Sequence, residues 1–138
     1  MNWARRLELI DQHFHSVQKV APSGGAAVTL TSGGGTWALG DFSNDIIAAD
    51  AEAEDFDLHW ISISAPDANA EYEIVFYYGA TDIEACRVSF ARTNVFTASI
   101  LEHLQSEILP AGSRIRAKMM DSAGGSACEV KVFYHNYH

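Results

Sequence analysis

"ILPAGSRIRAKMMDSAGGSACEVKVFYHNYH", residues 108–138, decides the fold class. Arg114, Arg116 and Lys118 alternate with Ile115, Ala117 and Met119, and Cys128, Val130, Val132 and Tyr134 alternate with Glu129, Lys131 and Phe133. A period of two is that of a strand with one face buried and one in water. "DSAGGS", residues 121–126, supplies a glycine-rich tip between them, so the two runs are expected to form a hairpin. On that hairpin the basic side chains of one strand would face Glu129 and Lys131 of the next, a pattern that blunts edge pairing or registers a neighbouring subunit.

Outward from this stretch the same period recurs in "AAVTL" (26–30), "TWALGDF" (36–42), "FDLHWISIS" (56–64), "EYEIVFYY" (71–78) and "IEACRVSFA" (83–91). Short strands separated by turn residues, with no regularly interleaved helices, predict an all-β antiparallel sandwich or barrel. "GATD" (79–82) is short enough for a hairpin connection. In "NVFTASILEHLQSEILPAG" (94–112) Ile100, Leu104 and Ile108 fit a helix, but the surrounding strands favour strand and loop. Alternation turns Cys86 and Cys128 inward, as small buried hydrophobes.

The leading segment differs. Trp3, Leu7, Ile10, Phe14 and Val17 are spaced by four, three, four and three residues, the stripe of an amphipathic helix or arm. "APSGG" (21–25) ends that pattern, so residues 1–25 are expected to be an arm and hinge and residues 26–138 the β domain.

Composition narrows the function. With 48% hydrophobic and 20% charged residues in 138, the chain can bury a core without cross-links. A net charge of −9 argues against nucleic acid as a partner, since a phosphate backbone calls for a basic face. No run is long enough to span a membrane, and the charges in "MNWARRLELIDQ" do not fit a signal peptide, which places the chain in the cytoplasm of its producing cell. The acidic run "DIIAADAEAEDFD" (45–57) lacks calcium-loop spacing and reads as a solvated loop.

Catalytic and cofactor chemistry find little footing. There is no nucleophile elbow and no Ser-x-x-Lys pattern, and "SGGGTWALG" (32–40) has no phosphate-loop sequel and reads as a flexible loop. Six histidines invite a metal, yet His13 and His15 point apart on a helix and no ligand spacing of known type appears; no cofactor and no metal site are expected. His59 falls opposite Trp60 in the alternation. Trp60, Tyr72, Phe76, Phe90 and Phe133 could stack on sugars but are expected in the core.

Taken in order, "LELIDQHFHSVQKVAPS" (7–23), "DFDLHWISIS" (55–64), "EYEIVFYYGATDIEACRVSFARTNVF" (71–96), "ILPAGSRIRAKMMDSAGG" (108–125) and "VKVFYHNYH" (130–138) resemble small structural proteins of tailed-bacteriophage and prophage virion gene clusters. The resemblance covers most of the chain. It implies a jelly-roll type of β-sandwich and a non-enzymatic virion component, made in the host cytoplasm and placed on the particle's exterior, where it decorates or cements the capsid. It implies as partners the major capsid protein or another virion protein and further copies of the chain, most simply as a trimer, with no nucleic acid and no membrane. The assembly interface would be Trp3, Leu7, Ile10, Phe14 and Val17, with Arg114, Arg116 and Lys118 as subunit-contact charges. The alternative is a glycan-binding or tail-associated adsorption module.

Overall fold

A computed structural model describes residues 18–94 and 99–137. The described residues form eight strands and no helix: β1 (Gln18–Ala21), β2 (Val28–Thr31), β3 (Asp55–Ser64), β4 (Ala70–Tyr78), β5 (Ile83–Arg92), β6 (Ile100–His103), β7 (Ile115–Asp121) and β8 (Ala127–Tyr137). One sheet runs β1-β8-β3-β6, with β2 also on β8, and the other runs β5-β4-β7. The stretch 40–47 extends the second sheet along β7, where Gly40, Ser43 and Ile46 donate backbone hydrogen bonds to Met119, Ala117 and Ile115. With the stretch 40–47 counted, and apart from β1–β2 and the β4–β5 hairpin, which each stay in one sheet, successive strands cross between the two sheets, the interlocked Greek keys of a jelly roll.

Alternation does the work of closing the sandwich. Leu30, Phe56, Leu58, Ile61, Ile63, Val130 and Val132 on one sheet meet Tyr72, Ile74, Phe76, Ile115, Ala117 and Met119 on the other, each with at most 1% exposure. Ile46, Ile47, Leu104 and Leu109 come from loops and join the same core. At roughly 25 cal/mol per Å² of apolar surface, burying each large aliphatic side chain is worth about 2 kcal/mol, which is why a strict period of two fixes register so strongly.

The chain's details depart from the sequence reading in four places. β7 and β8 are not a hairpin: β7 pairs with β4 and β8 with β1, β2 and β3, so "DSAGGS" is a crossing between sheets. The physical reason is that both runs need their apolar faces covered, and stacking them across the core covers both at once. Next, β1 and β2 lie end to end on one edge of β8, with Ala21 opposite Val132 and Val28 opposite Val130. Gln18–Ala21 is thus part of the sheet although it lies upstream of Ala26, and "PSGGAA" loops out between two halves of one edge.

Third, "SGGGTWALG" is tied down rather than flexible. Gly33 N donates to Ala38 O at 2.8 Å, Trp37 N to Asp121 O at 2.7 Å and Gly125 N to Gly33 O at 2.7 Å. A Cβ on Gly40 would lie 1.9 Å from Thr31 O, so that glycine is there for close approach of two backbones. Fourth, Trp60 and Phe133 lie half-buried on the outer face, while Tyr72, Phe76 and Phe90 are in the core as expected. The β4–β5 hairpin at 79–82 and strand and loop for 99–112 agree with the sequence.

Candidate functional site

The outer face of the β1-β8-β3-β6 sheet concentrates the imidazoles of the described residues, His59, His103 and His135. β3 and β8 bring Asp57 opposite His135, and then the register slips: Leu58 pairs with Tyr134, Trp60 pairs with Phe133, and His59 is the extra residue of a bulge. A bulge turns two successive side chains to one side. His59 and Trp60 consequently share the outer face, not opposite faces as simple alternation requires, while Ile61 returns to the core. With Phe133 given to Trp60, the His59 ring lies beside His135, centroids 4.4 Å apart. From β6, His103 stands 5.3 Å from His59 and 5.0 Å from the Trp60 ring, edge to face.

Asp57 is held in a fixed orientation. Tyr137 Oη donates to Asp57 Oδ2 at 2.9 Å, leaving Oδ1 toward His135 Nδ1 at 3.8 Å. Burial, then this bond to a carboxylate, raises the proton affinity of the Tyr137 phenol. The Asp57 and His135 side chains are only 17% and 13% exposed, low for the outer side of a sheet. One donor atom from each of Asp57, His59 and His135 lies within 4.8 Å of the others, so these three can hold a metal ion. No sequence spacing discloses the set, because 57, 59 and 135 meet only through the β3–β8 register.

On the other sheet, Arg114, Arg116 and Lys118 line the outer face of β7. Arg116 grips Asp82 through both carboxylate oxygens, and Arg114 Nη2 reaches Asp82 Oδ1 at 3.2 Å. The Arg116 hydrogen bond, with the Arg116 and Arg114 charges, holds the Asp82 carboxyl below its usual range against desolvation, which raises it. Arg116 and Lys118 also stack over the Phe42 ring, at 3.7 and 4.2 Å from its centroid. The expected facing row of Glu129 and Lys131 is on the other sheet. Trp3, Leu7, Ile10, Phe14 and Val17 lie outside the described residues.

Inside, two carboxylates tie loops to strands. Asp121, with 0% exposure, accepts from Ser32 Oγ at 2.5 Å, Ser126 Oγ at 2.7 Å and the Gly124 and Ala123 amides. Glu52 accepts from Lys19 Nζ at 3.0 Å and Tyr134 Oη at 3.1 Å. Burial raises the proton affinity of each, but the hydrogen bonds outweigh it and both pKa values end up lowered. Burial pushes the Cys86 and Cys128 thiols up to about 12, so neither is a poised nucleophile. Hollows among the described residues include one of about 460 Å³ lined by Thr29, Thr31, Ser32 and Asp41, and one of about 320 Å³ lined by Trp37, Glu71, Tyr72, Ser89 and Phe90.

No known protein family matches the sequence, and no curated protein does either. Among solved structures the chain is similar to that of infectious bursal disease virus Gt strain, with a TM-score of 0.44 and 9% identity over 88% of this chain and 32% of that one. It is also similar to the VP2 subviral particle of that virus, with a TM-score of 0.36 and 13% identity over 88% of this chain and 30% of that one. The chain spans about a third of the length of these viral chains. Overlap of this extent carries neither activity nor assembly from them to this chain.

Proposed function

We propose that this chain is a non-enzymatic virion structural protein of a tailed bacteriophage, a decoration or cement protein that stabilises the head through repeated subunit contacts. The observation that carries the reading is how the leading segment joins the body. In the sequence, the stripe Trp3, Leu7, Ile10, Phe14 and Val17 ends one residue before Gln18, where β1, an edge strand of a jelly-roll sheet, begins. An apolar stripe needs a partner surface, and an arm leaving from a sheet edge delivers it to a neighbour at high effective concentration. In this reading residues 1–25 are the arm and its hinge, with Gln18–Ala21 docked as β1, and 26–138 are the body.

The partners are the major capsid protein or another virion protein and further copies of the chain, with a trimer the simplest closed assembly. Arg114, Arg116 and Lys118 form a basic strip on a chain of net charge −9, fitted to an acidic patch on a neighbouring subunit. In this reading neither nucleic acid nor membrane is a partner, a net charge of −9 being unsuited to a phosphate backbone.

Co-sedimentation of the purified chain with phage heads lacking it tests this. The full chain should pellet with the heads, and W3A/F14A should remain in the supernatant while keeping its melting temperature. Equal pelleting of the two would refute the arm's role, and no pelleting of the full chain would refute decoration.

One observation favours the alternative of a glycan-binding adsorption module. Trp37 is 43% exposed, held at φ 55°, on the rim of the hollow that also contains Glu71 and Ser89. An exposed indole beside polar groups is a sugar-stacking arrangement. A glycan array read with W37A as control separates the two.

A further inference from the structure

We propose that Asp57, His59 and His135 bind one divalent first-row transition-metal ion on the outer face of the β3–β8 pair. The inference stands apart from the virion reading. Two imidazoles and a carboxylate match the borderline ligand preference of zinc and its neighbours, and three protein ligands leave a further coordination position open.

The geometry is close to that of a formed site. With all three donors within 4.8 Å of one another, an ion at the centre of the triangle is at most about 2.8 Å from each. A zinc bond is about 2.1 Å, so ~0.7 Å of movement per side chain completes ligation, well within the reach of small χ rotations. His135 Nδ1 and Asp57 Oδ1, at 3.8 Å, are already near the ~3.4 Å that two ligands of a tetrahedral ion keep.

Two further observations point to an ion. Asp57 Oδ1 is a buried atom that accepts no hydrogen bond among the described residues, while Oδ2 is occupied by Tyr137. A buried carboxylate oxygen left in that condition is costly, and a cation offsets the cost. Tyr137 orients the carboxylate as outer groups orient metal ligands. The bulge at His59 gives the second observation: it interrupts the ladder in the middle of a long strand, and its effect is to set His59 against His135.

The test is titration of the full, EDTA-treated chain with zinc chloride, followed by calorimetry, thermal melting and histidine ring NMR. One zinc per chain should bind, raise the melting temperature and shift the ring resonances of His59 and His135. H59Q and H135Q should each weaken binding at least about tenfold, and Y137F by roughly tenfold through the carboxylate it positions. H13Q/H15Q should bind as the unaltered chain does. The proposal is overturned by absence of binding, by ring shifts confined to other histidines, or by zinc affinity surviving in a folded H59Q/H135Q double variant. The NMR arm needs no substitution, so a variant that fails to fold does not shelter the proposal.

Discussion

Asp121 shows how much one residue can decide. Its two oxygens receive both hydroxyls and both turn amides at the crossing from β7 to β8, a turn that must hold the two sheets at their proper separation. Asp121→Ala leaves Ser32 and Ser126 without their buried acceptor and should lower stability by about 3 kcal/mol, read in urea or thermal unfolding. A loss below about 1 kcal/mol would mean water replaces the carboxylate at little cost. The same residue sets an acid limit together with Glu52. Both have folded pKa values below their unfolded ones, so their stabilisation is complete above the unfolded carboxylate range of about 4 and is lost as pH falls through the folded values. The melting temperature should hold steady down to about pH 5 and then drop toward pH 3, less steeply in Glu52→Gln. A flat profile over that range would contradict the assignment. The pairing of Asp121 with Ser32, 89 residues apart, has no local sequence signature, so nothing in the one-dimensional pattern could have marked it.

Strands were legible in the sequence wherever one face is dry and the other wet. β3, β4, β5, β7 and β8 all follow from their period of two, and Cys128, Val130, Val132 and Tyr134 are buried as that period requires. What the period does not encode is which strand lies beside which, and β7–β8 is the instructive failure: a glycine-rich tip serves a crossing between sheets as readily as a hairpin. Nor does it encode an inserted residue, so the bulge at His59, and with it the meeting of Asp57, His59 and His135, was invisible until register was known. The tethered loop before β3 was likewise misread, because glycines that permit close approach and glycines that permit motion have the same one-letter code. Gly40→Ala is the measure of this. Its methyl would press on the Thr31 carbonyl, and the variant should unfold about 2–4 kcal/mol more easily; a neutral effect would show that the 31–40 contact yields without cost. Removing Phe133–His138 strips β8 of three of its four pairs with β1 and of its pairing with the first half of β3, and should give insoluble or monomeric protein, read by solubility and size-exclusion chromatography.

At the scale of the whole molecule the jelly roll is a block with two differently equipped faces. One sheet displays imidazoles and aromatics around Asp57, and the other displays Arg114, Arg116 and Lys118 clasped to Asp82 and Phe42. Such a block has no need of a deep cleft to act as a building unit, since contacts repeated by symmetry gain strength without any one of them being strong. In the proposed role the leading segment would supply reach, and the faces would supply register. If decoration is the role, chain copies must be arranged by the symmetry of the shell and not singly. Electron cryomicroscopy of purified particles decides this most directly: density fitting the eight-stranded body should recur across the capsid lattice, with residues 1–17 continuing from β1 onto a neighbouring subunit. Particles that lack the chain, or carry it solely at the tail tip, would contradict it.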